Sequence, residues 1–125
     1  MSNQFDTRTL AYNDQGLIPV IAQDHDTGEV LMMAWMNAAA VEKTIETHRM
    51  TYWSRSRQSF WIKGDTSGHT QTLIELRVDC DRDCLLAFVN QTGPACHTYR
   101  RSCFYTRVDE GAEQTLMAPM KERDA

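Results

Sequence analysis

Three aspartates stand at alternate positions in Asp79-Cys80-Asp81-Arg82-Asp83-Cys84. If that segment is extended, the three carboxylates point the same way, and anions crowded on one face need a counter-charge. A hard cation such as Mg²⁺ or Ca²⁺, bound through oxygen ligands, would supply it; a solvated acidic turn would leave the charges to water. An EF-hand loop is excluded, because its sixth position would be Cys84 instead of Gly and its twelfth Asn90 instead of Glu. Four cysteines, Cys80, Cys84, Cys96 and Cys103, lack the two-residue spacing of a zinc knuckle. Four thiols permit a closed structural zinc, whereas three thiols and a water leave an open catalytic position. His97, beside Cys96, is a further ligand, a general acid/base, or a surface histidine on a loop.

A third constellation is Tyr52-Trp53-Ser54-Arg55-Ser56-Arg57, followed by Trp61 and by Lys63-Gly64-Asp65-Thr66-Ser67-Gly68-His69. Serines and arginines interleaved with aromatic rings can hold a phosphate and stack a purine-like ring. Gly64 and Gly68 bracket a hydroxyl-rich turn whose N–H groups could face an anion. The GxxxxGK[ST] pattern of a Walker loop is absent. Arg outnumbers Lys ten to three, and eight of the ten arginines fall between Arg49 and Arg107. The guanidinium fork suits bidentate contact with phosphate, so the pairs Arg55/Arg57 and Arg100/Arg101 point to an anionic ligand. A hairpin with aromatic cross-strand pairs and arginine-solvated faces is the plainer account of the same residues.

A chain of 125 residues, 42% hydrophobic and 24% charged, is expected to fold as one globular domain over residues 1–125. The net charge of −4 argues against a nucleic-acid partner. The longest uncharged stretch, Cys84–Tyr99, is sixteen residues broken by Gly93-Pro94; it is shorter than the ~20 residues of a bilayer span, so no membrane partner is expected. The N-terminal MSNQFDTRTL has neither a basic n-region nor an apolar h-region, which predicts a cytoplasmic protein. In that reducing setting cysteines more often hold metal than pair with one another.

Strands dominate the pattern that must position these residues. Leu17–Gln23 reads as a strand that Pro19 pushes towards a sheet edge. Asp24–Gly28 is a turn, and Glu29–Met36 a buried strand whose Met and Trp residues fill the core. Asn37 is a candidate N-cap for a helix over Ala38–His48, with Val41, Ile45 and His48 on one face. Met50–Arg57 and Phe60–Lys63 form a hairpin. Thr70–Asp79 alternates, with Thr70, Thr72, Ile74, Leu76 and Val78 on one face. Leu85–Val89 and Cys103–Val108 complete the strands, and Asp109–Ala125 reads as a mobile tail. The expected fold is α+β, mainly β: a small twisted sheet or pseudo-barrel with one capping helix.

Taken in order, YWSRSR (Tyr52–Arg57), KGDTSGH (Lys63–His69), DCDRD (Asp79–Asp83) and GPACHTYRRSCFY (Gly93–Tyr105), together with VLMMAWMN (Val30–Asn37), resemble the phosphoribosyl-AMP cyclohydrolases. These are enzymes of histidine biosynthesis that open an adenine ring. The resemblance spans about residues 16–107 and implies a zinc- and magnesium-dependent hydrolase acting as an intertwined homodimer. It makes Cys80, Cys96 and Cys103 the zinc ligands, one zinc per subunit in a site shared between subunits. It makes Asp79, Asp81 and Asp83 the magnesium ligands. Cys84 stands where the family usually has a small apolar residue and is not expected to be a ligand. Tyr99 stands where the family usually has Gly. The chain ends soon after the last motif, so the pyrophosphohydrolase domain fused to some relatives is not expected.

In the substrate, the adenine N1 carries a phosphoribosyl group, which leaves C6 electrophilic. A zinc ion that brings the acidity of a bound water to about pH 7 would supply hydroxide to C6. The H-x-E signature of zinc deaminases is absent, so His97 is the candidate for proton transfer. The expected substrate contacts are Trp53, Ser54, Arg55, Arg57, Thr66, Ser67, His69, Arg100 and Arg101, with a small nucleotide as the ligand. A structural zinc-binding interaction module is the alternative. It accounts for the cysteines, but not for the acidic triad or the serine–arginine hairpin.

Overall fold

The computed structural model describes residues 4–120. Four strands, β1 (Ile18–Asp24), β2 (Val30–Met36), β5 (Gln71–Val78) and β6 (Leu85–Gln91), form one open sheet in the order β2-β1-β6-β5. Two hairpins flank it, β3–β4 (Thr51–Ser54, Ser59–Ile62) and β7–β8 (Thr106–Asp109, Ala112–Thr115), with a single α-helix α1 (Ala38–Thr47) and a short 3-10 turn at Thr7–Thr9 among the described residues. This is the expected small α+β fold, and its sheet stays open instead of closing into a barrel.

One face of the sheet carries the core: Ile18, Val20 and Ala22 of β1 with Leu85, Ala87 and Val89 of β6, all fully buried. Helix α1 and β3 cover that face. Asn37 caps the helix by accepting from the Ala40 N–H at 2.8 Å, and His48 ends it in the left-handed conformation at φ 62°. The buried helical residues are Ala40, Val41 and Thr44, whereas Ile45 and His48 are exposed. Thr44 docks the helix on β3, its hydroxyl accepting from the Thr51 N–H at 3.0 Å and donating to the Thr51 carbonyl at 3.3 Å. A Thr with both hydroxyl roles filled can therefore take the place that apolar periodicity assigns to Ile45.

Other expectations shift for identifiable reasons. β1 lies inside the sheet rather than at its edge. Parallel pairing with β6 begins only at Val20, so Pro19 precedes the ladder on that side. The alternation of β5 breaks at a bulge between Leu73 and Glu75: Gln71 and Leu73 are buried before it, and Ile74 is half exposed. Cys103–Tyr105 is irregular, and the strand begins at Thr106. The segment expected as a tail folds back as β8 through the Glu110-Gly111 turn. It is held further by Leu116 N–H on the Tyr105 carbonyl and Met120 N–H on the Tyr99 carbonyl. Residues 121–125 of that expected tail lie outside the described residues.

Candidate active site and metal ligands

The acidic triad sits on the connection between β5 and β6, folded by its own side chain. Asp79 Oδ1 accepts from the N–H groups of Asp83 at 2.9 Å and Cys84 at 3.1 Å, and the Arg82 N–H donates to the Asp79 carbonyl at 3.1 Å. Arg82 adopts φ 65° and pins the turn to the N-terminal segment, its Nη2 donating to Thr9 Oγ1 at 2.7 Å. The carboxylates meet through this turn, not through strand alternation: ligand oxygens of Asp79, Asp81 and Asp83 lie within 4.8 Å of one another. Proton sharing with Asp81 and Asp79, and their negative charge, push Asp83 up to about 6. Partial desolvation raises Asp79, but hydrogen bonds from Asp83, Cys84 and Asp81 outweigh it and hold that carboxyl below its usual value. Three crowded carboxylates offering oxygen ligands suit a hard divalent cation, which would offset their mutual repulsion.

Cys96 and Cys103 come together at the other end of the site. Burial raises the Cys96 thiol, yet the Thr98 hydroxyl and N–H, the Cys103 thiol and the Lys63 charge bring it below its usual value; the Thr98 hydroxyl donates to Cys96 Sγ at 3.1 Å. Cys103 is exposed as a residue, but partial burial of its thiol and the neighbouring Cys96 push it up to about 11. A soft thiol pair poised unequally, beside a cation, fits two of the ligands of a zinc ion. Cys80 is exposed in the acidic turn. Among the described residues the aspartates alone form a group of three potential ligands, so Cys80 does not close on the thiol pair within one chain. Cys84 is half-buried in an apolar hollow beside Leu85 and Leu86, where burial and the triad's charges raise its thiol. All four cysteines are free.

The aromatic hairpin β3–β4 carries the third group of expected site residues. Tyr52 and Trp61 pack across it with ring centroids 5.2 Å apart, and Trp53 meets Phe60 edge-on, also at 5.2 Å. Its turn presents the polar residues, since the Gln58 N–H donates to the Ser54 carbonyl at 2.8 Å and the Arg57 N–H to Ser54 Oγ at 3.2 Å. Trp53, Ser54, Arg55, Arg57, Trp61 and Trp35 line a groove of about 870 Å³. Arg57 and Trp61 also border a second hollow of about 390 Å³, which holds Gly64, Thr66 and Ser67. Gly64 must be glycine: φ is +81°, and a Cβ there would stand 2.5 Å from the backbone of His69 and Thr70. His69 meets Tyr99 edge-on, ring centroids 6.1 Å apart. Tyr99 itself adopts φ 65°, a left-handed conformation that favours glycine. His97 is exposed beside Cys96.

The structure does not bring Arg100 and Arg101 into that groove. Arg100 stacks 4.1 Å over the Tyr105 ring and donates through Nε to the Met117 carbonyl at 2.9 Å. Arg101 pairs with Asp24 and Glu29, each at 2.9 Å.

A family model for phosphoribosyl-AMP cyclohydrolase matches residues 32–105. Curated relatives named phosphoribosyl-AMP cyclohydrolase align over nearly the whole chain. One from Cereibacter sphaeroides is 71% identical over 93% of this chain and 98% of its own length. One from Dinoroseobacter shibae is 71% identical over 94% and 98%, and one from Paracoccus denitrificans 70% over 92% and 95%. The chain belongs to the phosphoribosyl-AMP cyclohydrolase family.

Membership places it among hydrolases that act on a cyclic amidine. For a cyclohydrolase, three features of the site escape sequence reasoning. Trp35, expected in the core, is half-buried and lies 4.8 Å beneath the Arg55 guanidinium, while Met33 beside it is exposed. Lys63 stands over Trp61 at 5.4 Å and donates to the Ala95 carbonyl at 2.6 Å. Burial lowers its ammonium pKa, and the charges of Cys103 and Cys96 oppose that shift. Gln15 reaches the groove from the loop before β1. Lys63 and Trp35 carried a signal, their places in the KGDTSGH and VLMMAWMN motifs, and Gln15 carried none.

Proposed function

We propose that this protein is a metal-dependent phosphoribosyl-AMP cyclohydrolase that hydrolyses the C6–N1 bond in the adenine ring of 1-(5-phosphoribosyl)-AMP, the third step of histidine biosynthesis. An oxygen from water adds to C6, the C6–N1 bond breaks, N1 takes up a proton, and C6 becomes the carbonyl carbon of the product carboxamide. The observation that carries this reading is the 71% identity over 93% of the chain with a relative of that name.

Cys96 and Cys103, joined by Cys80 from a second copy, would hold zinc; Asp79, Asp81 and Asp83 would hold magnesium. Bound zinc supplies Lewis acidity, enough to generate hydroxide near neutral pH. Trp35, Trp53 and Trp61 offer faces for the adenine ring, and Arg55 and Arg57, on the hairpin turn, offer forks to a phosphate. Thr66 and Ser67, in the adjoining hollow, offer hydroxyls to the substrate's other phosphate. Lys63 balances the charge of the thiols and orders the Ala95 carbonyl beside them. His97 delivers the proton to N1. The separation of Cys80 from the thiol pair supports the homodimer. A cytoplasmic location is supported by four free thiols, and no helix among the described residues is long and apolar enough to cross a membrane.

The test is turnover of phosphoribosyl-AMP by purified protein, followed by the absorbance change on ring opening. A chelator is expected to abolish it while far-UV circular dichroism is retained, and zinc with magnesium to restore it. A fold lost together with zinc, and no turnover at any metal loading, would favour a structural zinc module.

A further inference from the structure

An arginine placed outside the substrate groove ties the loop of the two thiols to the β1–β2 turn. Arg101 pairs through Nη2 with Asp24 Oδ1 and through Nε with Glu29 Oε1, each at 2.9 Å. Asp24 ends β1 and is buried, and its Oδ2 accepts from the Thr27 N–H at 2.9 Å and hydroxyl at 3.0 Å. Glu29 directly precedes β2. One guanidinium thus spans both sides of the β1–β2 turn.

The backbone around it is fastened to the same strands. The Arg101 carbonyl accepts from the Ala95 N–H and the Arg100 carbonyl from the Cys96 N–H, both at 3.1 Å. Ser102 Oγ donates to the Val30 carbonyl at 2.7 Å, and the Cys103 N–H to the Leu31 carbonyl at 2.7 Å. Cys96 and Cys103 are therefore set by a segment whose only charged anchor to the sheet, among the described residues, is Arg101. Two carboxylates engage its Nε and Nη2 N–H groups and more than neutralise its charge, which disfavours a further anion at this guanidinium.

Resting on the zinc reading above, we propose that Arg101 is a positioning residue. Its paired contacts with Asp24 and Glu29 preset the thiols of Cys96 and Cys103 for one metal ion, and it does not touch the substrate's phosphates. Groups that orient metal ligands from outside the coordination sphere typically change affinity about 10- to 100-fold when removed.

The experiment measures zinc affinity by chelator competition, and KM and kcat at saturating zinc, on the full chain. The variants are Arg101→Gln, Arg101→Lys, Glu29→Gln, the double variant Asp24→Asn/Glu29→Gln, and Cys96→Ser in parallel. Arg101→Gln and the double variant should each weaken zinc binding by roughly 10- to 100-fold. Combining them should add nothing, Lys should recover part of the loss, and KM should stay at the wild-type value. If Arg101→Gln does not fold, Arg101→Lys and Glu29→Gln decide the matter, because each leaves one anchor in place. Wild-type zinc affinity in the Arg101 variants, or a raised KM at saturating zinc, overturns the proposal. If Cys96→Ser keeps its zinc, the zinc reading falls and this proposal with it. If Cys96→Ser loses zinc while the Arg101 variants bind it normally, the positioning role alone falls.

Discussion

Asp79 and Asp81 crowd Asp83 and push its carboxyl up to about 6, so the three carboxylates interact as one unit. Asp81→Asn is expected to raise the magnesium concentration needed for half-maximal activity while zinc content stays at the wild-type level, since oxygen ligands serve the hard ion and thiolates the soft one. Magnesium titration at saturating zinc measures this, and an unchanged profile would return the triad to a solvated turn. Among the thiols, Cys96→Ser and Cys103→Ser should lose zinc and turnover. Cys84→Ala should keep both, because its thiol sits in an apolar hollow beside Leu85 and Leu86 and joins no cluster of potential ligands among the described residues; metal content of the purified variants decides it. Arg55, stacked on Trp35 with its fork open to the groove, should cost roughly 10- to 150-fold in kcat/KM as Arg55→Ala if it makes a charge-assisted bond to phosphate. Steady-state kinetics of Arg55→Ala, with Arg55→Lys as the partial rescue, checks the assignment.

The turns of the fold give sharper contrasts than its strands. Gly64 and Gly68 have nearly the same φ, +81° and +83°, but a Cβ at Gly64 meets backbone at 2.5 Å whereas one at Gly68 meets open space. Gly68→Ala should therefore cost about 1–2 kcal/mol, the left-handed penalty alone, and Gly64→Ala a further 1–3 kcal/mol or so from the clash; urea unfolding of the metal-free variants measures both. The β1–β2 turn predicts a pH dependence. Burial raises the Asp24 carboxyl, but the Thr27 bonds and the Arg101 charge prevail and hold it below its usual value. A lowered folded-state pKa contributes stability that is complete above the unfolded value near 4 and disappears as pH falls through the folded one. Asp24→Asn should thus destabilise the metal-free protein at pH 7, and its difference from wild type should shrink as the pH is taken below about 4; a constant difference would contradict the assignment.

At this scale the sequence was readable where a pattern is local. The helix cap at Asn37, the aromatic hairpin and the residue types of the acidic triad and the cysteine motifs follow from neighbours within a few positions. The bulge at Ile74, the central place of β1 and the β7–β8 hairpin depend on partners elsewhere in the chain, such as β6 beside β1, and periodicity does not carry them. Arg101 is the clearest case in the site. Its type suggests phosphate, but Asp24 and Glu29, which occupy it, stand more than seventy residues away in sequence.

For the molecule as a whole, one chain holds two of the three thiols together and keeps the third in the acidic turn, so the central claim is that a working site draws on two copies of the chain. Mixed dimers test this most directly. A Cys80→Ser chain and a Cys103→Ser chain, each inactive alone, are co-expressed with different tags, and the heterodimer is purified and assayed for opening of the phosphoribosyl-AMP ring. With shared sites, one of the two sites collects both defects while the other keeps Cys80, Cys96 and Cys103 intact, so about half of the wild-type activity per dimer should return. With each site built inside one chain, every site retains a defect, and a verified heterodimer that stays inactive would contradict the account.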